Sequence, residues 1–208
     1  MTSIILHHND LPADVDFGAS VAIDTETMGL NPARDRLCLV QMMSAEGDCH
    51  LVKFDGKNYD APNLKRILAN EDILKLFHFA RFDVAVLQAY LGVLTEPIYC
   101  TKIASRLVRT FTPYHGLKNL CRDLLGEDIS KHQQSSDWGA DELTEDQLEY
   151  AASDVLYLHG LKSKLDEMLE REGRLDLAHS CFDFLPTRAM LDLRGWAEED
   201  IFSHSINR

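Results

Sequence analysis

The chain has 208 residues, 45% of them hydrophobic and 26% charged, which suits a single domain with a sizeable core. Its net charge of −13 argues against a protein that grips long nucleic acid, since that affinity comes mainly from cations set against phosphates. No apolar run reaches membrane-spanning length, Met1 to Pro12 lacks the cationic start and long apolar stretch of a leader, and five scattered cysteines form no Cys-x-x-Cys pair, so the expectation is a cytoplasmic protein without membrane contact, disulfide framework or zinc knuckle.

Three strands come first, at about Val21 to Thr25, Leu37 to Ser44 and Cys49 to Phe54, joined by turns at Asn31-Pro32 and Glu46-Gly47-Asp48, which predicts an antiparallel meander. The first strand ends in Asp24-Thr25-Glu26. Alternation sends Asp24 and Glu26 to one side and Thr25 to the other. Two carboxylates held that close repel each other unless a cation sits between them, and hard divalent ions take such oxygen ligands. A solvated turn is the bland alternative.

Next come a helix near Asn63 to Ala69, a strand at Ile73 to Phe79 and a helix at Arg81 to Leu91 with apolar residues at Phe82, Ala85, Val86, Ala89 and Tyr90. Asp83 falls in that helix's first turn, where it serves either as a ligand or as a charge matched to the helix dipole. A short strand at Ile98 to Cys100 and helices at Thr101 to Val108 and Leu117 to Leu125 follow; strands alternating with helices imply parallel additions to the sheet. The irregular segment from Gly126 to Asp141 leads to a long helix from Thr144 to about Glu170, opened by a capping-box pair with Gln147, on which Tyr150 and Asp154 stand four apart on one face. A last helix, about Leu175 to Leu193, has apolar spacing suited to core or a subunit contact. The fold class is α/β.

Charge is unevenly spread. From Pro97 to Arg122 there are 26 residues without Asp or Glu, where simple proportion gives about four, and the stretch holds Lys102, Arg106, Arg109, Lys118 and Arg122. Lys102, Arg106 and Arg109 have the spacing of one helix face. With Tyr114, His115 and Gly116 beside Lys118, the stretch suits stacking and phosphate contacts on a short strand better than a merely solvated face.

Asp24-x-Glu26, Asp83 after Phe77-His78-Phe79-Ala80-Arg81-Phe82, and Tyr150-x-x-x-Asp154 resemble, in order, spacing and flanking residues, the three motifs of the DEDD exonucleases, in the subclass with Tyr in the third motif. Lys131 to Trp138 is similar to the matching segment of ribonuclease D. That enzyme carries helical nucleic-acid-binding domains after its nuclease domain, whereas only 54 residues follow Asp154 here, so the whole chain resembles a compact, freestanding relative of the nanoRNase kind.

The resemblance implies a ribonuclease-H-like mixed sheet flanked by helices, one exonuclease domain over residues 1–208, and 3′-5′ removal of nucleoside 5′-monophosphates from very short single-stranded RNA, di- to tetranucleotides. It implies two Mg²⁺ or Mn²⁺ ions: Asp24 bridging, Glu26 and Asp154 completing one site, Asp83 acting at the second ion, and Tyr150 orienting the attacking water. It further implies a homo-oligomeric ring of eight subunits. Substrate contacts are expected from Thr25, from Gly29 and Leu30 (a base wedge, or ordinary turn packing), from one of His78 and Phe79, from Arg106, Tyr114, His115 and Lys118, and from Gln133, Ser135, Ser136 and Trp138, the last being equally a loop anchor. The alternatives are a ribonuclease D-type enzyme trimming tRNA 3′ ends, a DNA exonuclease, and a catalytically silent nucleic-acid-binding module. The last gains nothing from carboxylates placed where phosphates must sit.

Overall fold

The computed structural model describes residues 3–129 and 136–204. Its six strands, β1 (Ile4–His8), β2 (Ser20–Thr27), β3 (Leu37–Met43), β4 (Cys49–Lys53), β5 (Leu74–Phe77) and β6 (Ile98–Cys100), form one mixed sheet in the order β1-β4-β3-β2-β5-β6. The β2-β3-β4 core is the expected antiparallel meander, and β5 and β6 are added in parallel. Every residue of β3 is buried, as befits a central strand covered on both faces. β1, which pairs in parallel with β4, was not expected: its short Ile4-Ile5-Leu6 run gives too little alternation to read as a strand.

The helices are α1 (Pro62–Leu68), α2 (Ala80–Leu91), α3 (Thr101–Val108), α4 (Leu117–Leu120, continued by a wide π-type turn Cys121–Leu125), α5 (Glu145–Leu156), α6 (Leu158–Arg171), α7 (Leu175–Asp183) and α8 (Leu185–Leu191). α5 packs across β1 to β4, α2 against β2, β3, β5, β6 and α8, and α3 against α6, so the sheet is flanked by helices in the expected α/β architecture. The capping box at Thr144 and Gln147 forms in both directions, which fixes where α5 begins and thereby where Tyr150 and Asp154 stand.

The expected long helix from Thr144 is two helices. Tyr157, at φ −102°, ψ −3°, stands as the cap between α5 and α6, so the helix is divided there although the apolar spacing runs on through the break. The last expected helix also divides, at Phe184, because Pro186 cannot donate back into a continuing helix and instead sits in the first turn of α8. No helix among the described residues is long and apolar enough to cross a membrane.

Candidate active site

The side chains of Asp24 and Glu26 project from one face of β2 toward its C-terminal end, where a register shift at Glu26/Thr27 loosens the ladder. Asp154, one turn beyond Tyr150 on α5, is brought beside them, and carboxylate oxygens of Asp24, Glu26 and Asp154 lie within 4.8 Å of one another. Asp83 stands outside this group, on the first turn of α2, fully buried and accepting a hydrogen bond of 2.7 Å from the Thr25 hydroxyl. Thr25, pointing away from its two acidic neighbours, therefore fixes the fourth acid rather than facing solvent.

Burial, then mutual repulsion, pushes these acids upward. Asp24 is raised well above the ordinary carboxylate value by desolvation and then by Asp83, Asp154 and Glu26. Glu26 is pushed up to about 9 by burial and then by Asp154 and Asp83, and Asp83 to about 7, mainly by burial. Tyr150 is also raised, by burial and then by Asp154, Glu26 and Asp24, so its phenol stays protonated at neutral pH. Three carboxylates crowded at this cost, with only oxygen donors and no His or Cys in the group, fit a hard divalent cation of the Mg²⁺ or Mn²⁺ type and not a zinc set.

The acids floor a cleft of about 650 Å³. Its lining includes, of the residues expected to touch substrate, Thr25, Gly29, Leu30, His78, Phe79, Lys118, Ser136 and Trp138. Leu30 is 90% exposed on the rim, so it does not pack within its own turn. Gly29 has a local reason beyond access for a ligand: a β-carbon there would lie 2.3 Å from the Asp35 carboxylate that closes the turn. His78 and Phe79 both reach the cleft, against the expectation that strand alternation admits one. β5 ends at Phe77, and Phe79 adopts left-handed backbone geometry (φ 74°, ψ 42°) at the start of α2, so alternation no longer governs the pair. His78 Nδ1 lies 2.9 Å from the Thr101 hydroxyl, and Lys102 Nζ sits 4.0 Å above the Phe79 ring. Trp138 is buried, its ring centroid 6.0 Å from that of Tyr150, an anchor within the cleft wall.

Arg106, Tyr114 and His115 lie outside the lining. Arg106 and Tyr114 are exposed, and His115 Nδ1 is 2.8 Å from the Ser105 hydroxyl. Arg109 does not share a face with Lys102 and Arg106, because α3 ends at Val108; it turns inward, is 3% exposed and pairs with Asp123. Gln133 and Ser135 lie outside the described residues. The sequence reading missed Met28, Phe82, Leu117 and Ile129 as lining and did not single out Lys102 from its neighbours; ordinary apolar residues on loops and first turns carry no signal of their own.

A family model described as 3′-5′ exonuclease matches residues 2–170. The chain belongs to the 3′-5′ exonuclease family, and within it to the ribonuclease D-like exoribonucleases, a metal-dependent group. Ribonuclease D of Gluconacetobacter diazotrophicus is 36% identical over 156 residues, 75% of this chain and 39% of that protein, so the chain spans about two fifths of that relative's length. Over nearly its whole length the chain is similar to NrnC, a nanoRNase C. Brucella melitensis NrnC bound to pGG superposes with a TM-score of 0.95 at 54% identity, covering 99% of this chain and 100% of that one. The structure of Brucella melitensis NrnC with bound Mg²⁺ matches with a TM-score of 0.94 at 53% identity, covering 98% and 100%.

Proposed function

We propose that the protein hydrolyses very short single-stranded RNA, di- to tetranucleotides, from the 3′ end, with two Mg²⁺ or Mn²⁺ ions held by Asp24, Glu26, Asp83 and Asp154. The observation that carries this reading is the Asp24, Glu26 and Asp154 cluster on the floor of a cleft large enough for only a few nucleotides. The likeness to NrnC bound to pGG supports a ligand of that size. When bound, the ions supply positive charge against the phosphate and acidify attached water.

The chain's own residues then have separable tasks. The Tyr150 hydroxyl, kept protonated, orients the attacking water by hydrogen bonding and does not act as its base. Water adds to phosphorus as the bond to the 3′ oxygen of the preceding nucleotide breaks; that oxygen takes up a proton and a nucleoside 5′-monophosphate departs. Leu30 on the rim and Phe79 beside Lys102 offer apolar and aromatic surface to bases, while Lys102 and Lys118 face phosphates. The net charge of −13 leaves little cationic surface for a long strand.

Five free cysteines suit a reducing, cytoplasmic setting, and exposed Leu177, Trp196 and Phe202 on the C-terminal elements suit assembly of a single exonuclease domain into a ring, eight subunits by likeness to the nanoRNases. A time course on 5′-labelled RNA and DNA from dinucleotide to duplex length, with and without divalent metal, tests the substrate: turnover is expected to peak at two to four ribonucleotides. Binding that tightens steadily on longer RNA would instead indicate a trimming enzyme of the ribonuclease D type, and a preference for deoxyribose a DNA exonuclease. Light scattering that reports a monomer would remove the ring.

A further inference from the structure

β3 reads Leu37-Cys38-Leu39-Val40-Gln41-Met42-Met43: six apolar residues and one amide, all buried. Gln41 has no exposed surface, and burying an amide costs free energy unless its hydrogen bonds are recovered. Its position explains its presence. In the antiparallel ladder Gln41 is the direct partner of Asp24, so the two side chains project from the same face of the sheet. Gln41 Nε2 donates to Asp24 Oδ2 across 3.4 Å, a long bond, while Oε1 is buried with no hydrogen-bond partner. Because Nε2 faces a carboxylate, the amide is oriented with its donor inward. A fully apolar side chain would complete β3 without an orphaned oxygen, so packing does not account for glutamine here.

We propose that Gln41 is a positioning residue that acts through Asp24: its amide holds the Asp24 carboxylate rotated toward Glu26 and Asp154, setting the affinity of the site for its divalent ion. This rests on the metal-binding reading of the carboxylate cluster. Outer groups that orient a ligand are typically worth about 10–100-fold in metal affinity or activity.

The test is Gln41→Met, similar in length and without donor or acceptor, studied in the full chain without substrate by calorimetric titration with Mn²⁺. The metal dissociation constant should rise about 10–100-fold. The melting temperature in chelator should hold or increase, since an orphaned polar group is removed. In assays kcat should fall at limiting Mn²⁺ and recover at high Mn²⁺, with KM for a dinucleotide unchanged. A folded Gln41→Met protein with wild-type Mn²⁺ affinity overturns the proposal, as does a lower melting temperature with no change in metal binding. If Gln41→Met fails to melt cooperatively, Gln41→Asn, whose amide is one methylene too short to reach Asp24, decides by the same titration. Asp24→Asn run alongside separates the two readings. If Asp24→Asn loses Mn²⁺ binding while the Gln41 variants keep it, only the role of Gln41 falls; if Asp24→Asn binds Mn²⁺ normally, the metal reading itself fails.

Discussion

Glu26 and Asp83, pushed to about 9 and about 7, hold protons in the folded chain at pH values where the unfolded chain has released them, ordinarily above about 4. Between those limits the folded state binds more protons, so without metal its stability falls as pH rises through that window. Denaturant melts in chelator from pH 5 to 9 should show this decline, and Glu26→Gln should flatten it. Asp24→Asn or Asp154→Asn should lower activity by more than the roughly 100-fold typical of losing an outer partner of a metal ligand, while leaving metal-free stability equal or higher. Near-normal turnover in either variant would remove that residue from the reaction. Tyr150→Phe should lower kcat by up to about 100-fold with KM little changed, as fits a hydroxyl that acts on water in the transition state. Unchanged kcat with a lower melting temperature would make Tyr150 a packing residue against Trp138.

At the scale of elements, the positions that carry the most chemistry were also the most legible. The acid-bearing end of β2, the capping box of α5 and the start of α2 each join a periodic pattern to a local stop or start signal, and all three form where expected. What could not be read were breaks that periodicity ignores. Tyr157 interrupts an unbroken apolar stripe, and the left-handed backbone of Phe79 releases His78 and Phe79 from alternation. Arg109 shows the same limit in the basic stretch, since helical spacing has no meaning past Val108. The two kinds of cation are separable by experiment. Lys102→Ala and Lys118→Ala should weaken short-RNA binding and flatten its salt dependence at an unchanged melting temperature, whereas Arg109→Ala should lower the melting temperature through loss of its pairing with Asp123. A binding defect in a stable Arg109→Ala protein would reverse that division.

For the whole molecule, the class of enzyme was readable because three short motifs keep their order and spacing along the chain, whereas Gln41 was not: a single amide in an apolar strand signals only once the ladder sets it opposite Asp24. The site is also distributed. Asp24 and Asp154 stand 130 positions apart, on a central strand and on a helix laid across the sheet, so no fragment smaller than the assembled β2 to α5 body contains it. This has a kinetic consequence. Contacts so distant in sequence close late in folding, and an interaction absent from the transition state changes the rate of leaving the native state and not the rate of reaching it. Divalent ions should therefore act as a brake on unfolding: in stopped-flow experiments the unfolding limb should slow when chelator is replaced by Mg²⁺ while the refolding limb stays in place.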